Sequence, residues 1–200
     1  MTKTMLGAAM AAFLSAVGAA NAATVAFDNT NTADGGFSPA LVASQPRAAL
    51  VFGALATGAV DFVQADFSGF VAPGGGEFRF ALHEDMGGAL GALLDQSDLA
   101  AVGTSAGDFV TLNVGGWDAA DLVAGDTYWL VAERVAGEVL WRGRDGGGPA
   151  QSFVISATDQ FSPINSDLDA RITVSPVPLP LSGALLLSGL GVLLLRRRRG

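Results

Sequence analysis

The sequence predicts an all-β protein: a β-sandwich, jelly-roll-like, with an N-terminal signal peptide and one C-terminal transmembrane helix. Three observations predict it. Short runs along the middle of the chain alternate apolar and polar residues, the period of a half-buried strand. The chain holds 27 glycines, and clusters such as Pro73-Gly74-Gly75-Gly76 and Gly146-Gly147-Gly148-Pro149 break those runs as turns do. No long apolar stripe of helical period crosses this region, and many short strands between frequent breakers belong to sandwiches and barrels.

The elements follow in order. Residues 1–22 read as a signal peptide: Lys3 supplies the positive start, Met5 to Val17 is apolar and small, and Ala20-Asn21-Ala22 is an A-x-A cleavage site. The cut is expected after Ala22.

Residues 23–176 form the expected exported domain, long enough for a full core. All 19 acidic residues lie there with only six arginines and no lysine, a formal charge of −13. Such a surface repels polyanions, so no nucleic-acid partner is expected. The chain has no cysteine, which excludes thiol chemistry and cysteine-bound metals.

Strands are predicted at residues 24–27, 59–70, 77–83, 108–114, 127–135, 138–142, 151–157 and 170–174. The second of these changes phase, so a bulge is expected near Gln64. In the third, Phe78, Phe80 and Leu82 share one face. Residues 127–135 and 138–142 flank Ala136-Gly137 and read as a hairpin. Residues 90–94 and 117–123 are expected to make short helical turns.

A search for chemistry returns little. His83 is the only histidine, and no G-x-S-x-G elbow accompanies it, so it reads as a strand-end residue facing solvent. Glu84 and Asp85 follow it as strand neighbours and point to opposite faces. Asp167-Leu168-Asp169 lacks the glycine and terminal glutamate of a calcium loop and reads as a turn with solvated acids. The glycine clusters lack the G-K-[ST] of a phosphate loop. No catalytic residue, metal site or cofactor is therefore expected, and the protein is not expected to be an enzyme. Core packing is the expected role of Trp117, Trp129 and Trp141; exposed together they could instead stack on sugar rings, which makes a carbohydrate-binding module of the extracellular matrix the alternative function. Adjacent Tyr128 and Trp129 point to opposite faces, so at least one of them belongs to a core.

Residues 177–200 form the last segment. Val177-Pro178-Leu179-Pro180 leads into an uncharged run from Leu181 to Leu195, and Arg196, Arg197, Arg198 and Arg199 follow. Proline is tolerated at a helix start, so a transmembrane helix is expected at about residues 180–195. The arginine cluster holds its end in the cytoplasm.

This proline pair, apolar run and arginine cluster resembles the VPLPA-CTERM signal, a variant of the PEP-CTERM sorting signals of Gram-negative bacteria. Leu181 stands where that family usually has alanine. The resemblance implies an exosortase-type membrane protease as partner and an inner-membrane-tethered precursor. It implies a mature protein at the cell surface or in the medium, among exopolysaccharide. Residues 78–94, with Asp85-Met86-Gly87-Gly88, and residues 122–131, with Gly125-Asp126-Thr127-Tyr128-Trp129, are similar to the R type of choice-of-anchor domains, apart from the inserted Met86 and Asp126. That resemblance implies an exported β-sandwich with a surface role and no catalytic mechanism.

Overall fold

The computed structural model describes residues 23–30, 36–69, 75–103, 107–145 and 150–175. The expected cleavage residues Ala20 and Ala22, the motif Val177 to Pro180, and Arg196 to Arg199 lie outside them.

Among the described residues there are sixteen strands and no helix. They are β1 (Thr24–Asp28), β2 (Ala40–Leu41), β3 (Arg47–Gly53), β4 (Gly58–Gly69), β5 (Gly76–Asp85) and β6 (Leu90–Gln96). Next come β7 (Ala100–Val102), β8 (Val110–Val114), β9 (Asp121–Leu122), β10 (Thr127–Gly137) and β11 (Val139–Trp141). The last are β12 (Gly143–Asp145), β13 (Gln151–Ile155), β14 (Phe161–Ile164), β15 (Ser166–Leu168) and β16 (Arg171–Ser175). No helix among these residues is long and apolar enough to cross a membrane.

Every described pairing is antiparallel. One seven-stranded sheet runs β1-β16-β4-β11-β2, with β8 and β9 also on β4. A second runs β14-β13-β3-β10-β5-β6, with β7 also on β5, and β12 pairs with β15 alone.

The alternating side chains of the two sheets meet in one core, a sandwich-like arrangement. Phe78, Phe80 and Leu82 of β5 and Tyr128, Leu130 and Ala132 of β10 enter it from one side. Val63, Ala65 and Phe67 of β4, Trp141 of β11 and Ile172 and Val174 of β16 enter it from the other. Aromatic rings bridge the sheets: Phe67 stacks on Phe78 with centroids 4.0 Å apart, and Phe80 meets Trp141 edge-on at 5.3 Å. Offset and edge contacts of this kind add about 0.5–1.5 kcal/mol per pair beyond burial.

Four sequence expectations are corrected. First, β10 and β11 do not form a hairpin. β10 pairs with β3 and β5, whereas β11 pairs with β4 and β2 in the other sheet. The chain passes between sheets at Gly137 and Glu138, because Val139 and Trp141 are apolar on the face that fills the core. Second, residues 90–94 begin strand β6 rather than a helical turn, since β5 offers them a ladder at Leu93 and Leu90. Third, residues 117–123 form bends and the short strand β9. Fourth, the irregularity in β4 sits at Asp61 rather than near Gln64: Thr173 faces Phe62, Val174 faces Val60, and Asp61 is left over.

Gly137 has φ +61°, and a Cβ there would run into the carbonyl oxygen of Gly75. Gly137→Ala is expected to lower stability by about 2 kcal/mol or more, from the left-handed backbone alone plus the clash. Urea unfolding measures this, and an unchanged midpoint would show that the crossing tolerates a side chain.

Candidate functional site

The densest polar cluster joins β4, β12 and the connection from β15 to β16. Arg142 and Arg144 flank Gly143, two residues apart in an extended segment, so both guanidinium groups leave on the same side. Across the β12–β15 ladder Arg144 faces Asp167, an opposite-charge cross-strand pair. Arg144 donates to Asp169 Oδ2 from Nη2 at 2.6 Å and from Nε at 3.1 Å. Arg142 Nη1 donates to Asp66 Oδ2 at 3.0 Å, and Arg144 Nη2 lies 3.7 Å from the same oxygen. Thr111 donates its hydroxyl to Asp66 Oδ1 at 2.6 Å, and Arg142 lies over the Phe109 ring at 5.1 Å.

The backbone around these groups is equally constrained. Trp141 Nε1 donates to the carbonyl of Asp169 at 2.7 Å. Asn29 clamps the same connection, donating to Leu168 O at 2.7 Å and accepting from Ala170 N–H at 2.7 Å. Asp167 and Asp169 are buried, at 3% and 1% exposure, so the expected turn with solvated acids is corrected. The reason lies in Arg142 and Arg144, which supply the counter-charge that permits burial.

Asp169 Oδ1 is buried and makes no hydrogen bond. Burial pushes the carboxyl up from its ordinary value to about 6; the Arg144 hydrogen bond opposes that rise, and the nearby Asp66 charge adds to it. The arginines occupy the space beside these acids. The cluster therefore fastens three chain segments together.

A second polar anchor holds β6 to the bends before β9. Asp95 accepts N–H groups from Asp118 at 2.7 Å, Ala119 at 2.8 Å and Gln96 at 2.8 Å. Burial raises its carboxyl, but these backbone donors together outweigh that and hold it below the usual carboxylate range.

The three tryptophans pack in or against the cores and do not form a sugar platform. Trp129 is 2% exposed and Trp141 is fully buried, on opposite faces of different sheets. Trp117 is half-buried against the core. Each indole N–H is satisfied internally: Trp141 by Asp169 O, Trp129 by Asp85 Oδ1 at 2.7 Å, and Trp117 by Val114 O at 3.2 Å. Tyr128 and Trp129 do take opposite faces, and both are core. Tyr128 lies in the main cluster, whereas Trp129 lies in a smaller one with Ala49, Ala81, Val131 and Ile155, its ring stacked on Phe153 at 5.2 Å.

His83 is half-buried rather than solvent-facing, and its Nδ1 lies 3.2 Å from Gly91 O. Asp85 is spent on Trp129 and on the N–H of Gly88. Sequence reasoning missed Asp66, Arg142 and Arg144. The available signal was the scarcity of arginine, with two of the domain's six falling at positions 142 and 144 and two acids repeating the same spacing at 167 and 169.

No known family model matches this chain, and no curated protein matches it either.

Proposed function

We propose that this protein is an exported, non-catalytic surface component, delivered by residues 1–22 and sorted by residues 177–200. The observation that carries this reading is the order of parts after the domain: two prolines, fifteen uncharged residues from Leu181 to Leu195, then four arginines. The uncharged run halts in the inner membrane. At about 1.5 Å per helical residue, with the preceding residues, it reaches roughly the hydrocarbon thickness. Arg196 to Arg199 keep the following end in the cytoplasm. A cleaved N-terminal signal places the domain on the other side, so the two signals agree on topology.

Pro178 and Pro180 have a separate task. Proline disfavours helix in the residue before it and keeps the backbone extended. Extended backbone is what a protease cleft accepts through strand-like pairing. The tail is thus held open for an exosortase-type protease at the membrane surface, and its removal frees the domain to the cell surface or the medium.

Mass spectrometry of the mature, cell-associated protein tests this reading. The expected product begins at Ala23 and lacks Arg196 to Arg199; retention of Arg199 overturns the sorting tail and leaves a permanent anchor. Replacing Pro178 and Pro180 together by alanine is expected to leave most of the precursor unprocessed at steady state, read as the unprocessed mass. Normal maturation of that double variant would remove the role assigned to the prolines.

A further inference from the structure

The end of the domain at which β16 finishes carries an exposed apolar rim. Ser175 pairs with Ala59, and its hydroxyl donates to Asp61 Oδ2 at 2.7 Å. Gly58, next in that strand, pairs with Leu122. The loops on either side are stitched together there: Ala124 N–H donates to Thr57 Oγ1 at 2.9 Å, Gly125 N–H to Ala54 O at 2.8 Å, and Ala54 N–H to Asp126 O at 2.9 Å. Tyr128 faces Glu84 across the ladder, which brings the turn at residues 86–89 to the same end.

On this rim Leu55, Met86 and Val123 are 78%, 70% and 49% exposed. Each sits at the tip of a different loop. The opposite end of the second sheet is charged instead, with the Arg47–Asp159 and Arg79–Glu133 pairs, and Val135 is exposed there.

Chain length limits how far Ser175, at this end of the domain, can stand from the run that begins at Leu181. Six residue steps separate Ser175 from Leu181, and an extended chain covers about 3.3–3.6 Å per residue, so the reach is at most about 20 Å. The headgroup layer takes up about 5–8 Å of that distance. Apolar side chains on loop tips gain free energy by entering that layer.

We propose that Leu55, Met86 and Val123 form a lipid-contacting surface that rests in the headgroup layer of the membrane holding residues 181–195. This rests on the membrane-halting tail argued above. Glu84, Asp121 and Asp126 are exposed around the rim, and its three loops hold no lysine or arginine. The contact is therefore apolar, and it is weakened by anionic lipid rather than strengthened.

The absence of cysteine makes the test direct. The full chain is reconstituted into phosphatidylcholine vesicles as three single variants, Leu55→Cys, Val123→Cys and Val135→Cys, each carrying an environment-sensitive fluorophore. Brominated lipid is expected to quench the labels at 55 and 123 at least about twofold more than the label at 135, and added phosphatidylglycerol is expected to narrow that difference. Equal aqueous accessibility at 55 and 135, in a chain that floats with the vesicles, overturns the rim and leaves the tail reading intact. A chain that fails to float overturns both. In the unlabelled Leu55→Cys variant, disulfide-linked dimers on the vesicles would assign the rim to a second copy and overturn lipid as its partner.

Discussion

Arg144→Met is expected to lower the unfolding free energy by about 3–5 kcal/mol, because removing one member of a buried ion pair strands the other. The stranded group is Asp169, 1% exposed, whereas Asp66 keeps Arg142. Arg144→Lys is expected to recover only part of the loss. Arg144 grips Asp169 Oδ2 with both Nε and Nη2, and a lysine ammonium cannot reproduce that fork.

The deficit depends on pH. The Asp169 carboxyl titrates near 6 in the folded protein and at its ordinary 3.8 in the unfolded chain. Between those values the folded state holds a proton that the unfolded state has lost. Its contribution is thus fully present below pH 3.8 and is lost as pH rises through 6, by at most about 3 kcal/mol. Arg144→Met should therefore be more harmful at pH 7.5 than at pH 5, where a protonated Asp169 no longer needs a counter-charge. Asp169→Asn should flatten the stability profile between pH 4 and 7. Denaturant midpoints across that range measure both effects, and an unaltered slope in the asparagine variant would exclude this carboxyl as their source. Asp95 acts with the opposite sign: its folded value lies below 3.8, so its contribution is present above that pH and is lost on further acidification.

Trp141→Ala is the second large effect, with an expected loss of about 3–5 kcal/mol. The ring is fully buried and touches Phe67 at 5.6 Å in its own sheet and Phe80 at 5.3 Å in the facing one. Its removal opens a cavity between the sheets and also leaves the Asp169 carbonyl without the indole donor. Trp141→Phe keeps most of the ring and should cost about 1–3 kcal/mol, the share of the lost hydrogen bond. Trp117→Ala, at a half-buried site, should cost less than Trp141→Ala, and an equal loss at the two sites would contradict the packing described here.

Strands whose residues alternate apolar and polar were legible in the sequence. β5, β8 and β16 alternate clearly, and Phe78, Phe80 and Leu82 point into the core as the pattern requires. β3 was not legible. It lies between β10 and β13 with Ala48, Ala49, Leu50 and Phe52 all buried, so both faces are apolar and the alternation vanishes. β6 reads Leu90-Gly91-Ala92-Leu93-Leu94, a spacing that a helical turn would also satisfy; only its pairing to β5 decides. The short link at Gly137 looked like a hairpin because sequence cannot say whether the next strand returns to its neighbour or joins the facing sheet. The arginine–aspartate cluster was hidden for a related reason. Its members are spread from residue 66 to residue 169, and only the topology brings them together.

The pairing of β1 with β16 sets Thr24 opposite Val174 in adjacent antiparallel strands, where Cα atoms lie about 4.5–5.5 Å apart. The two ends of the folded body thus leave it at a single seam, and the order in which its strands are covalently joined becomes exchangeable. A few residues bridging Ser175 to Thr24 would close the polypeptide into a ring, which could be reopened at the 156–160 turn as a circular permutant without disturbing either sheet. Whatever is attached before or after this seam joins the domain at neighbouring points, Thr24 and Ser175.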